Sequence, residues 1–298
     1  MITQAELDRK YHVEQNTIAA AVAKFVLTSW LRTVDPLNIS GTTAMWIRAA
    51  INAIYGGRTK AYTSTIKYLD ASRKLQLPKA PPLRLPEPPG PPEELLLRSL
   101  TVTGPQKLAI SLARIPDEPV WPSFDPLGQG LSPLPSPEEL DRERRAKQQI
   151  QVMREEAKKA AGAAAAASAY KQVQYGGRDT VDHVFRNDKS VEAWIRVTSD
   201  HPCGFCLMLA SRGPVYVKDS FDESDARFNG PGNWKCHDNC GCTGRLVWKS
   251  GKDGGWTPLA RQADELWQAS TEGKSGNDAI NAFRAAARAQ GLADLTRW

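Results

Sequence analysis

The chain has 298 residues, 41% hydrophobic and 24% charged, with a net charge of +6 and a pI near 9.0. That length supports two domains with cores of their own. No run of eighteen apolar residues offers a membrane span, and the start, Met1-Ile-Thr-Gln-Ala-Glu-Leu-Asp-Arg-Lys, lacks a signal peptide's basic and apolar regions. Residence in a cytoplasm, with thiols kept reduced, is the expectation. The mild positive charge is scattered, so it suits a nucleic-acid neighbour or an acidic partner without selecting either.

The first predicted element is a helix over 4–34, where Ile18, Val22, Phe25, Val26 and Trp30 recur at helical spacing without Gly or Pro. Asp35-Pro36 ends it. A second helix opens at Gly41-Thr42-Thr43 and carries Trp46, Ile47, Ala50, Ile51 and Ile54 on one face. Gly56-Gly57 is expected to bend it, and residues 61–75 continue it. Residues 78–92 are too rich in proline for helix or central strand and read as an extended polyproline-like spacer. Short helical pieces follow at 93–99 and 106–114. A second Pro-rich linker spans 115–137.

Ser136-Pro137-Glu138-Glu139 is a strong helix start, with Ser136 as N-cap, Pro137 in the first turn and Glu139 closing a capping box. The helix is expected to run to about Gln174 and to stop at Gly176-Gly177. Its first half is charged. Its second half is alanine-rich, with five consecutive alanines at 163–167, and permits close approach of another helix. A short helix over 180–187, a strand over 191–198, a turn and short helix over 203–211, strands at 214–217 and 243–248, and two C-terminal helices around Gly273–Gly276 complete the reading.

The predicted fold is therefore mainly α with a small C-terminal α+β module, extended, with Pro-rich linkers between helical segments. The expected division is an N-terminal helical region (1–77), Pro-rich linkers with short helices (78–136), a long Ala-rich helix (137–175), an α+β Cys/His module (176–250) and a C-terminal helical tail (251–298).

The chemistry concentrates in that module. Cys203-Gly-Phe-Cys206 is followed, after thirty residues, by His237-Asp-Asn-Cys240-Gly-Cys242, with Cys236 beside it. A C-x-x-C turn brings two thiolates onto one ion, and a second knuckle completes a tetrahedron. Cys203, Cys206, His237 and Cys240 make one ligand set for a structural zinc. Cys242 in place of His237 makes an all-thiolate set. Reduced or disulfide-bonded cysteines are the alternative, and a Cys nucleophile with His237 or His201 as base is a further one. A zinc-dependent nuclease of the His-Cys type lacks an obvious His–Asn–His set here. No G-x-S-x-G is present. Ser211 and His201 are weak catalytic candidates best explained as loop residues.

Gly176-Gly-Arg-Asp-Thr180, Trp194-Ile-Arg-Val-Thr198, the stretch from Cys203 to Tyr216, His237-Asp-Asn-Cys-Gly-Cys-Thr243 and the upstream Ser99-Leu-Thr-Val-Thr-Gly-Pro105 together resemble the minor head proteins similar to phage Mu protein F, in the form found in phages of actinobacteria. The resemblance implies a minor capsid protein of head morphogenesis, a low-copy virion component at the portal vertex. Its implied partners are the portal protein, the major capsid protein and packaged DNA, with no membrane. Many such relatives are called capsid maturation proteases. No serine-protease motif stands out, so a structural component is the first expectation, with a capsid maturation protease as the alternative and a zinc-dependent nuclease or nucleic-acid-binding module as the third.

Overall fold

The computed structural model describes residues 2–83, 90–118, 136–199, 202–214, 240–249 and 255–293. The expected strand at 214–217 falls almost wholly outside them, as do Cys236, His237, His201, residues 84–89 of the first Pro-rich linker and 119–135 of the second. The described chain is mainly helical with one small two-stranded sheet. Helix α1 spans Gln4–Thr33, α2 Ile39–Gln76, α3 Glu93–Thr101, α4 Lys107–Leu112 and α5 Pro137–Asn187. Strand β1 (Val191–Val197), helix α6 (Gly204–Ala210) and strand β2 (Thr243–Trp248) follow, then α7 (Pro258–Thr271) and α8 (Gly276–Ala289).

The helix starts follow local chemistry. Thr3 Oγ1 accepts the Glu6 N–H at 3.2 Å while Glu6 accepts the Thr3 N–H at 2.8 Å. Ser136 and Glu139 make the same reciprocal pair, at 3.3 and 2.7 Å. Asn38 caps α2 by accepting the Gly41 N–H, so α2 begins at Ile39, ahead of Gly41. A wider turn of five residues, Val102–Gln106, joins α3 to α4 and accommodates Pro105 inside an otherwise helical run.

The chain divides into two compact units. One comprises 1–23, 52–92 and 169–298; the other comprises 24–51 and 93–168. In the second unit Trp30 and Trp46 are buried and meet edge-on at 4.8 Å between ring centres. The Trp30 indole N–H donates to the Lys158 carbonyl at 2.9 Å. Leu96, Leu100, Leu108, Ala161 and Ala165 of the same unit are buried too. Truncating either tryptophan to alanine is worth about 3–5 kcal/mol.

The first unit holds the cysteines. Here the sequence-based end of α5 is corrected: the helix passes through Gly176-Gly177 to Asn187, and the expected separate helix at 180–187 is its last two turns. The two glycines serve close approach. A Cβ at Gly176 would lie 2.6 Å from the Arg58 carbonyl oxygen. One at Gly177 would lie 2.6 Å from Gln15 Oε1 and 3.0 Å from Tyr11 Oη. Arg58 clamps the same crossing by donating to the Gln172 carbonyl at 2.8 Å and pairing with Asp179. Helix α2 continues through Gly56-Gly57 and residues 61–75, as expected.

Strands β1 and β2 are antiparallel, with Val197 opposite Thr243, Val191 opposite Trp248, and an irregularity between Val191 and Ala193. The core beneath them joins Trp194, Leu246 and Trp248 to Val181 and Val184 of α5, to the stacked pair Tyr11 and Tyr68, and to all four described cysteines. A second cluster packs Leu207, Met208 and Leu209 of α6 on Ala263, Leu266, Phe283 and Ala287 of α7 and α8. A buried ion pair, Asp8–Arg245 at 2.9 Å, ties α1 to β2, and Tyr68 Oη donates to the same carboxylate at 2.7 Å.

Candidate metal centre

Cys203 is the N-cap of α6. Its sulfur accepts the Cys206 N–H at 3.3 Å, so the C-x-x-C turn closes on itself and sets Cys206 one helical turn in. Cys240 and Cys242 approach from the other side, in the segment that leads into β2. Alternate residues of an extended chain share a face, and Gly241 between them faces away, against α1. A Cβ at Gly241 would stand 2.6 Å from Asn16 Oδ1 and 3.2 Å from Tyr170 Oη, so a larger residue there would have to displace the Asn16 side chain.

Three sulfurs converge. Those of Cys206, Cys240 and Cys242 all lie within 4.8 Å of one another, and the Cys206–Cys240 separation is 3.7 Å. Cys203 lies outside that mutually close set but hydrogen-bonds the Cys206 thiol. All four thiols are buried, and no disulfide joins them. A disulfide needs sulfurs about 2.05 Å apart. Two thiolates on a tetrahedral ion with bonds of about 2.3 Å stand about 3.8 Å apart. The three buried cysteines can thus hold a metal ion.

The carbonyls of this knuckle are held by a buried cation. Arg178 Nη2 donates to the Cys240 carbonyl at 2.6 Å and to the Cys242 carbonyl at 3.1 Å, and Nε donates to Cys242 at 3.3 Å. Asn16 anchors the other side, with its amide on the Gly241 carbonyl at 3.5 Å and its oxygen accepting from Tyr170 and Gln174. Burial, with the Cys240 and Cys242 thiols adding to it, raises the Tyr170 hydroxyl above its ordinary value. Hydrogen bonds with Cys203, Cys240 and Cys242, followed by burial, push the Cys206 thiol well above the ordinary thiol range. A thiol held protonated in this way is a poor nucleophile. A bound cation reverses the effect and deprotonates it.

The sequence-predicted residues divide clearly. Cys206, Cys240 and Cys242 are brought together and Cys203 is adjacent, while His237 and His201 lie outside the described residues. Ser211 is buried at the end of α6, where its hydroxyl donates to the Met208 carbonyl at 2.8 Å. Arg178, Asn16 and Tyr170 were not singled out by sequence reasoning. The one signal for them was the Gly-Gly-Arg of 176–178, legible as a motif but not as a carbonyl clamp. A separate cavity of about 620 Å³ opens between the start of α1, the end of β1 and the start of α7, with Asp8 and Arg245 in its wall. Their charges neutralise each other there.

A protein-family model described as VG15 protein matches residues 129–269. The matched stretch contains α5, both strands, α6 and all the described cysteines. No curated protein and no solved structure matches the chain. The matched family is a phage one, and the match supports a phage-encoded protein.

Proposed function

We propose that this chain is a low-copy structural component of a phage head, attached near the portal vertex and acting in head assembly or in DNA packaging and ejection. The observation that carries the reading is a coincidence on one stretch of chain. The phage family match over 129–269 covers the motifs at 176–180, 194–198, 203–216 and 237–243 that resemble the Mu protein F-like minor head proteins. The portal protein, the major capsid protein and packaged DNA are the partners in this reading. No described helix is long and apolar enough to cross a membrane.

The cysteine cluster is a structural staple in this reading, with zinc as its cofactor. Its thiols are buried in the core, and a small module of this kind gains from a metal the cohesion its limited apolar area does not supply. Quantitative mass spectrometry of purified particles tests the assignment. We expect a few copies of this polypeptide per head beside the many of the major capsid protein; absence from both procapsids and virions would refute a virion role.

A capsid maturation protease is the second reading, raised by the name that many of the Mu protein F-like proteins it resembles carry. The burial of Ser211 and the backbone bond of its hydroxyl weigh against it. Ser211→Ala and His201→Ala are expected to leave capsid-protein processing unchanged. Uncleaved capsid protein accumulating in either variant, with this chain folded and packaged, would promote the enzyme.

A further inference from the structure

We infer that Cys203, Cys206, Cys240 and Cys242 form a four-thiolate centre for one zinc ion, with the buried Arg178 guanidinium as its charge-balancing neighbour. The inference rests on the staple reading of the cluster but not on the virion assignment.

Spacing and geometry point to sulfur alone. A C-x-x-C turn and a C-x-C segment each present two thiols, and the segments meet with the Cys206 and Cys240 sulfurs 3.7 Å apart. Cys206, Cys240 and Cys242 already occupy three corners within 4.8 Å. Cys203, whose sulfur accepts the Cys206 N–H at 3.3 Å, is the adjacent buried thiol that supplies the fourth. The sequence reading left His237 and Cys242 as competing ligands. Cys242 is inside the cluster, and including it makes a complete set without the histidine. An all-sulfur set selects soft or borderline cations such as zinc over magnesium, calcium or manganese.

Charge accounts for Arg178. Each thiol gives its proton to solvent as zinc binds, so four thiolates around a divalent cation leave a net charge of −2 in a buried site. A buried charge needs a partner. Arg178 is 2% exposed, and its guanidinium is fixed on the carbonyls of Cys240 and Cys242. It therefore orients the knuckle and offsets part of the site's charge.

The full chain, purified under reducing conditions without chelator, is the test material. Elemental analysis should give about one zinc per chain, and X-ray absorption at the zinc edge should show four sulfurs at about 2.3 Å. His237→Ala should keep both properties, and Cys242→Ser should lose the metal. Arg178→Met should weaken zinc affinity about 10–100-fold in chelator competition. A first shell of three sulfurs and one nitrogen, or zinc lost in His237→Ala, would overturn the four-thiolate set and leave the staple standing. Unchanged affinity in Arg178→Met would remove Arg178 from the centre. Protein that refuses zinc while all its thiols remain reduced would overturn the staple reading as well. The absorption measurement uses the unaltered chain, so a Cys242→Ser variant that fails to fold does not blunt the test.

Discussion

Two glycine-to-alanine substitutions at helix-interior positions should shift stability in opposite directions. Gly56 lies in α2, is exposed, and has nothing within 4 Å of where a Cβ would stand. Alanine there gains the intrinsic preference of about 1 kcal/mol with no packing cost. Gly176 lies in α5, and the same methyl would sit 2.6 Å from the Arg58 carbonyl oxygen and 2.9 Å from its Cα. Ordinary contact needs about 3.5 Å or more. The obstacle is backbone, and Arg58 is held by Gln172 and Asp179 from the other helix. Overpacking of this kind costs about 1–3 kcal/mol, and a clash this deep belongs at the upper end. Subtracting the propensity gain leaves Gly176→Ala less stable by about 1–2 kcal/mol. Thermal unfolding followed by far-UV circular dichroism should move up about 2–4 °C for Gly56→Ala and down by a similar or larger amount for Gly176→Ala. Equal stabilisation by both would refute the close crossing of α2 and α5.

Arg245→Met should cost about 3–5 kcal/mol by leaving the Asp8 carboxylate buried without its cation. The double variant Asp8→Leu/Arg245→Met should recover a large part of that loss in denaturant titrations, and no recovery would show that the pair is not coupled. The first turn of α5 should loosen in acid. The Ser136 N–H, and then the Ser136 hydroxyl, hold the Glu139 carboxyl below its ordinary value of 4.5. A lowered folded pKa means the contribution is complete above 4.5 and is lost as pH falls through the lowered value. Amide exchange in residues 137–140 should accelerate in that window and lose its pH dependence in Glu139→Gln.

Much of the fold was legible in local chemistry. The apolar spacing of Val26 and Trp30 gave α1, Asp35-Pro36 gave its end, and Ser136 with Glu139 gave the start of α5 to the residue. The alternation around Trp194 and the run from Thr243 to Trp248 gave the two strands that pair. Gly176-Gly177 misled because a helix stop and a tight helix crossing use the same residue; only the partner helix, more than a hundred residues upstream, separates them. The cysteine cluster was legible as a convergence. The choice between His237 and Cys242 was not, because spacing alone does not say which side of a knuckle faces inward. Arg178, Asp8 and Arg245 were invisible for a related reason. A charged residue on a helix or strand reads as solvent-facing until its opposite number is known.

The distribution of the two units along the chain orders events at the ribosome. The unit of 24–51 and 93–168 is complete once Ser168 has emerged. The other draws on residues both before and after that unit: Asp8 precedes Arg245 by 237 positions. At about 5–20 residues per second that interval is on the order of ten to fifty seconds. Throughout it the Asp8 carboxylate at the start of α1 lacks the Arg245 guanidinium that it pairs with in the finished unit. A nascent chain stalled short of Cys240 would therefore carry one finished unit and a second in which Arg178, Asp8 and strand β1 lack their partners in 240–248, the kind of species that chaperones hold and proteases clear.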